Sequence, residues 1–259
     1  SSAASDVYKR QLNGSGKVHA LRLEQNGGYG MGNQEGINYA VSCLEADYVI
    51  IANPDIHVSP RCIRRVKDAL DKTQGAVAAS ARVKDPMGGE LFSYWTLLPL
   101  WKDLLDTGLV TRRLFKAMLN TPSYRLGYGG DEDCRLVDAV PGSFFMLKTG
   151  ILTPGEIKEV FDKHIFLYYE EKVLGQKFRK MGLKTVLVTD ESYVHAHSVS
   201  IDKSFKRIVD KQSLLHRSKL YYYKEYLGTG PAGMAAARAV LGLVLAEVWF
   251  LTVVCRMQW

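Results

Sequence analysis

DYVIIANPD (residues 47–55) is the stretch on which the fold turns. Its apolar run is short and nearly continuous, the pattern of a strand buried on both faces, and it breaks at Pro54 with a carboxylate, Asp55, just beyond. Ligand sites of open α/β sheets lie at such strand ends. Downstream, Ser59 and Pro60 supply a cap and a first helical residue, so a helix should run to about Lys72, and GAVAASARV (75–83) returns as a strand. Upstream, KVHALRL (17–23) alternates enough to be a strand. It leads into the glycine-rich NGGYGMGNQEG (26–36), after which a helix through Ile37 to Leu44 is expected. Strand and helix alternate, which implies a parallel-rich sheet.

Beyond this unit, residues 93–120 are rich in Leu, Trp and Arg and read as one or two helices. RLVDAVPGSFFMLKT (135–149) reads as two short strands about Pro141 and Gly142. Helices near 154–161 and from Tyr169 to Met181 follow, then a strand, KTVLVTD (184–190). The chain closes with a basic, tyrosine-rich helix from Ser204 to Leu227 and an apolar helix from Pro231 nearly to Trp259.

Hydrophobic residues at 47% and charged residues at 24% of 259 exclude a disordered tail, a collagen and a disulfide-built miniature. A net charge of +7 favours anionic partners such as nucleotide diphosphates or acidic lipid. Cys43, Cys62, Cys134 and Cys255 are far apart and form no C-x-x-C pair, so the pattern is that of a reduced, cytoplasmic protein rather than a zinc or disulfide framework. The opening SSAASDVYKRQ (1–11) has no periodicity and no initiator Met, resembles translated adapter sequence, and is set aside as a leader.

Four groups of residues offer chemistry. Closely spaced glycines from Asn26 to Gly36 could cradle a phosphate at a helix start; they fit a tight strand-to-helix turn as well, and Gly30, Gly32 and Gly36 also match a GxGxxxG dinucleotide spacing. Asn53 and Asp55 present hard oxygen atoms suited to a divalent cation, or simply make a turn. Glu170 and Glu171 follow the apolar-aromatic FLYY where a loop enters a helix. One could be a desolvated general base and the other a helix N-terminal charge, although adjacent glutamates at helix starts are common. His195 and His197, two apart after a strand, would share one face as ligands or as structural residues.

Taken in order, NGGYGMGNQEGIN, IIANPDIHVSP, VDAVPGSFFMLK, FDKHIFLYYEEKVLGQKFRKMGLKTVLVTD and YVHAHSVS resemble glycosyltransferase family 2, in particular its rhamnosyltransferase-like branch, over about Lys17 to Tyr226. The resemblance implies an α/β, GT-A Rossmann-like mixed sheet flanked by helices. Its domain would cover 12–202, followed by a C-terminal helical extension at 203–259. It implies an inverting transfer of a sugar from a nucleotide-diphosphate donor to a saccharide or lipid-linked acceptor in cell-surface polysaccharide synthesis. On the same fold, a non-catalytic subunit that binds a sugar or lipid carrier is the alternative.

NPD stands where the family has its DXD motif, so the resemblance makes Asp55 a ligand of Mg2+ or Mn2+, with His195, five residues before Ser200, as the later metal-binding histidine. Glu171 takes the place of the catalytic base beside Glu170. Gly142 borders the acceptor, and Asn26, Gly30, Gly32, Asn33, Asn53 and Ser200 fall in substrate-binding segments. The family's E-D-x-D-L is here EEKVL (170–174), with Val173 at the second acidic position and Lys177 in place of an arginine. Family members also begin with a strand, a helix and a second strand, so the chain is expected to be N-terminally truncated, starting at the third strand without the nucleotide-base pocket.

The segment 203–224 holds Lys203, Lys206, Arg207, Lys211, Arg217, Lys219 and Lys224 interleaved with Tyr221 to Tyr223. It reads as a solvated face or an anionic-lipid surface, and no nucleic-acid motif accompanies it. Ala239 to Cys255 is apolar apart from Glu247 and a little short of the ~20 residues that span a bilayer. Arg238 and Glu247 are half a turn out of phase, so the helix has no clean polar face. It is expected to dock on a membrane surface, peripherally at the inner face of the cell membrane, or on a second copy of the chain.

Overall fold

The computed structural model describes residues 18–119, 133–196 and 208–255. Helix α1 (Gly28–Leu44) leads to strands β1 (Tyr48–Ala52) and β2 (Ile56–His57), helix α2 (Pro60–Lys72) and strand β3 (Ala76–Lys84). Two short helices, α3 (Leu100–Leu105) and α4 (Leu109–Leu114), precede β4 (Cys134–Val137), β5 (Phe144–Lys148) and the single turn α5 (Pro154–Ile157). Helix α6 (Glu170–Lys180), strand β6 (Lys184–His195), α7 (Ile208–Glu225) and α8 (Pro231–Trp249) complete the chain, α8 ending in a π-helical turn (Phe250–Val254). The leader at 1–11, Lys17, His197, Ser200, Lys203, Lys206, Arg207 and Trp259 lie outside the described residues.

The strands form one mixed sheet in the order β1-β5-β3-β6-β2, with β4 added against β6. Among the described residues the only parallel pairing is that of β3 with β6; β5 runs antiparallel to both β1 and β3, and β2 and β4 run antiparallel to β6. The expected parallel-rich sheet is therefore corrected. β1 and β3 do point the same way, but β5 arrives from a distant part of the sequence and separates them. The expectation for DYVIIANPD is corrected as well. Among the described residues β1 is an edge strand paired with β5 alone, and Ile50 and Ala52 face solvent. The strands buried on both faces are the inner ones, β5, β3 and β6; in β5 Phe144 and Met146 enter one apolar cluster and Phe145 and Leu147 the other.

Residues 18–23, expected as a strand, have no regular structure, and Val18, Leu21 and Leu23 are exposed. Their alternation finds no neighbouring strand, and an unpaired extended segment leaves its backbone groups to water. The glycine-rich segment differs too, since the helix begins at Gly28 rather than near Ile37. At that start the chain turns on Gly28 (φ 83°), where a Cβ would fall 2.0 Å from the carbonyl oxygen of Phe166. The Tyr29 amide donates to that same oxygen at 3.1 Å.

Helices cover both faces. Ser59 accepts from the Cys62 amide and Pro60 opens α2, which buries Cys62, Val66, Ala69 and Leu70 beneath β3 and β6. Ile37 of α1 and Leu174 and Phe178 of α6 pack on the opposite face. A third apolar cluster, with Leu104, Tyr169, Val173, Tyr222, Tyr223, Met234 and Leu241, joins α3, the start of α6, α7 and α8. The reading of α7 as a basic solvated face is thereby corrected in part. Tyr222, Tyr223 and Lys219 are buried, because α7 turns that side toward α3 and α6.

Candidate active site

The site grows from the carboxyl ends of β1 and β6. After β1 the Asn53 amide donates to the Ser143 carbonyl at 2.8 Å, and the next turn carries Asp55 into β2. Because β2 pairs with the end of β6, Ile56 lies opposite His195, and the Ala196 amide donates to the Asp55 carbonyl. This register sets His195 Nε2 3.4 Å from Asp55 Oδ1, both side chains being partly buried. One carboxylate and one imidazole at this spacing fit a divalent cation, whose bonds to such atoms are ~2–2.6 Å long, and leave coordination positions for the oxygens of a diphosphate. Among the described residues no group of three or more His, Cys, Asp and Glu side chains is arranged to hold a metal ion, so the pair would depend on its ligand to complete a site.

The loop before β5 ties this pair to the glutamates. The Gly142 amide faces Glu171 Oε1 at 3.4 Å, and the Tyr29 hydroxyl donates to the Gly142 carbonyl at 2.6 Å. Ser143 Oγ and the Tyr193 hydroxyl share a hydrogen bond of 2.7 Å. Gly142 and Ser143 thus hold Asn53 of the β1 turn on one side and Glu171, Tyr29 and Tyr193 on the other. A Cβ at Gly142 would stand 2.8 Å from the Tyr29 hydroxyl and 3.3 Å from Glu171 Oε1, so this close approach requires glycine.

Both glutamates are held toward the protonated form. Burial raises Glu170, and the neighbouring charge of Glu171 raises it further; burial raises Glu171 against the hydrogen bonds of its own and the Gly142 amides. Burial and the two carboxylates also raise Tyr29 well above the ordinary phenol, which keeps its hydroxyl a donor. Tyr29 and Tyr193 escaped the motif reading. For Tyr193 a signal existed, since it stands two residues before His195 and shares its face of β6.

The remaining sequence candidates are dispersed along α1 and the turn that precedes it. Asn26 Oδ1 accepts from the Gly28 amide, Gly30 is buried against Phe161, Asn33 donates to the Tyr29 carbonyl, and Gly32 is exposed on the helix with nothing near it. Lys177 donates to the carbonyls of Glu159 and Val160, and Val173 is buried in the third apolar cluster.

Behind the glutamates lies a cluster that no sequence motif marks. Asp103 of α3, almost fully buried, accepts from the Tyr169 and Tyr223 hydroxyls at 2.5 Å each, from Lys219 at 3.1 Å and from Lys172. Burial opposes its charge, but Lys219 and Lys172 hold its carboxyl well below the ordinary range. Burial, helped by the neighbouring ammonium of Lys172, pushes Lys219 down to about 8 against the attraction of Asp103.

No family model and no curated protein matches the chain. Among solved structures, the chain is similar to a crystal structure of GalNAc-T7 with UDP, GalNAc and Mn2+, at 12% identity and a TM-score of 0.49. The alignment covers 98% of this chain and 48% of that one, so the chain spans about half the length of that protein.

Proposed function

We propose that the chain is a GT-A, family 2-like glycosyltransferase that moves a sugar, with inversion, from a nucleotide-diphosphate donor to a saccharide or lipid-linked acceptor. Cell-surface polysaccharide synthesis is the setting that the sequence resemblance implies. The observation that carries the reading is the Gly142–Ser143 turn, which binds Glu171 on one side and the Asn53–Asp55 turn on the other, with His195 3.4 Å from Asp55.

Asp55 and His195 would hold Mg2+ or Mn2+, which when bound neutralises charge on the departing diphosphate. Glu171, ionised, accepts the proton of an acceptor hydroxyl. That oxygen attacks the anomeric carbon on the face away from the diphosphate, the bond from this carbon to the diphosphate oxygen breaks, and configuration inverts. The raised proton affinity of Glu171 makes it a stronger base once ionised. The Tyr29 hydroxyl and Gly142 fix its position.

A panel of nucleotide-diphosphate sugars, scored for nucleotide release with and without Mg2+ or Mn2+, tests the reading. Turnover that falls by ~10²–10⁴ in Glu171→Gln with donor binding kept is the expected result. Metal-independent turnover, or full activity in both Glu171→Gln and Asp55→Asn, overturns it. One observation favours the non-catalytic alternative: Val173, at the family's second acidic position, is built into the apolar core. Donor binding without any turnover would select that alternative.

A further inference from the structure

Helix α8 and the π-helical turn after it form a stretch, Pro231–Val254, whose most apolar window has a mean hydropathy of 1.9, and only 22% of that window is buried. The buried residues, Met234, Ala237, Leu241, Val244 and Val248, recur at intervals of three and four along one side of the helix, and the first three join the apolar cluster of α3 and α7. The other side exposes Leu243, Trp249, Phe250, Val253 and Val254, with Leu243 72% accessible. At ~1.5 Å per residue the stretch is long enough to cross a bilayer, but one side of its first half is seated on α3 and α7, which leaves the opposite side as the surface free to meet lipid.

A second element borders the same strip. The Glu247 carboxylate accepts from the Leu109 and Val110 amides at 3.4 and 3.2 Å, anchoring the start of α4. Glu247 stands four residues after Leu243 and three before Phe250, on the same side of α8, so α4 abuts the edge of the exposed strip. There α4 and the turn after it expose Val110, Leu114, Phe115 and Met118, Leu114 at 73%. The same segment carries Arg112, Arg113 and Lys116, all exposed, and Lys102 beside the exposed ring of Trp101. Its two aspartates turn inward, Asp103 to the buried cluster and Asp106 to Arg112 at 3.2 Å.

We infer that the exposed sides of α8 and α4 form one platform that docks in the plane of an anionic lipid bilayer. Apolar side chains enter the headgroup boundary and the cations of α3 and α4 meet lipid phosphates. Charge complementarity selects this occupant. A second copy of the platform would set cations against cations, whereas an acidic leaflet neutralises them, and exposed tryptophans suit the water–lipid boundary. The inference rests on no part of the proposed chemistry.

The test is sedimentation of the full chain with vesicles of phosphatidylcholine alone or with 30 mol% phosphatidylglycerol, together with quenching of tryptophan by brominated lipids. Binding to the anionic vesicles, weakened by salt and quenched by shallow bromines, is expected. Leu243→Glu with Phe250→Glu should weaken it at least tenfold. Arg112→Gln with Arg113→Gln and Lys116→Gln should remove the preference for anionic vesicles by a similar factor. Both sets replace exposed side chains, and retained thermal melts show that the fold persists. No binding by the parent chain overturns the inference, as does undiminished binding by the Leu243 and Phe250 variant. Quenching only by deep bromines would replace it with a spanning helix, and a dimer dispersed by the same substitutions without any effect on lipid would replace it with self-association.

Discussion

Replacing Asp103 with Asn keeps the size of the side chain and removes its charge from beneath two lysines. Lys172 and Lys219 have side chains only 10% and 6% accessible, so neither ammonium can turn to water without opening the α3–α6–α7 junction. Breaking a buried ion pair from one side costs about 3–5 kcal/mol, against a total stability of about 5–15 kcal/mol for a domain, so about a fifth or more of the stability should disappear at pH 7. The loss must also depend on pH. Lys219 sits near 8 in the folded chain and at 10.5 when free, so between these values the unfolded chain holds more protons and stability rises with pH. Without Asp103 its affinity for a proton drops further, the rising limb extends to lower pH, and the gap between variant and parent narrows as Lys219 becomes neutral. Urea unfolding followed by far-ultraviolet circular dichroism from pH 6 to 10 measures both effects. A loss below about 1 kcal/mol at pH 7, or one that is constant across the range, would show that the cluster does not hold its charges as described.

Gly142→Ala should lower turnover at least about tenfold while costing only about 0.5–1.5 kcal/mol, since it displaces the Tyr29 hydroxyl and Glu171 but forces no unfavourable backbone angle; unchanged turnover and melting would refute the contact. Because burial raises Glu170 and Glu171, the native chain keeps a proton that the unfolded chain releases. Stability should therefore fall as pH rises from about 4.5 toward neutrality, and Glu170→Gln should flatten that slope and add at least ~1 kcal/mol at pH 7.5 by chemical denaturation. A slope unaltered in Glu170→Gln would place the titrating group elsewhere. Asp55→Asn should abolish any rise in melting temperature produced by Mn2+ together with a nucleotide diphosphate; a rise that survives would move the metal away from the β1 turn.

What the sequence disclosed followed physical range. Helices α2 and α6 were legible because Ser59-Pro60 and the charges of Glu170 and Glu171 mark their starts locally. The juxtaposition of Asp55 with His195 came only from the order of the family-like blocks, since nothing in either segment shows that β2 pairs with the end of β6. Sheet order escaped for the same reason: insertion of β5 between β1 and β3 is a choice among long-range pairings, which alternation does not encode. Asp103 lay in a Leu- and Trp-rich stretch with no motif around it. Lys219 looked like one more cation of a solvated helix, yet it precedes Tyr223 by four residues, and that shared face with an aromatic run was the one local mark of burial.

Tyr168 (φ 70°) and Tyr169 (φ 75°) place two successive non-glycine residues in the left-handed region immediately before the glutamates. Such residues cost about 1–3 kcal/mol each and persist only where their surroundings over-determine them. Here the surroundings are the buried cluster. The Tyr169 hydroxyl is fixed to Asp103, its ring stands edge-on to Tyr222 at 5.3 Å, and Lys172 lies over its face at 4.6 Å. Since Tyr169 is the residue from which α6 starts, anchoring its side chain on the α3–α7 side sets where Glu170 and Glu171 leave the backbone on the other. The charged cluster and the pair of carboxylates are thus opposite ends of one turn, linked through Tyr169 and through Lys172, which follows Glu171 in α6 and bonds Asp103 directly. Loosening the anchor, as in Asp103→Asn, is therefore expected to let the left-handed turn relax and to move the first turn of α6 with it, which would show as a fall in turnover beside the loss of stability.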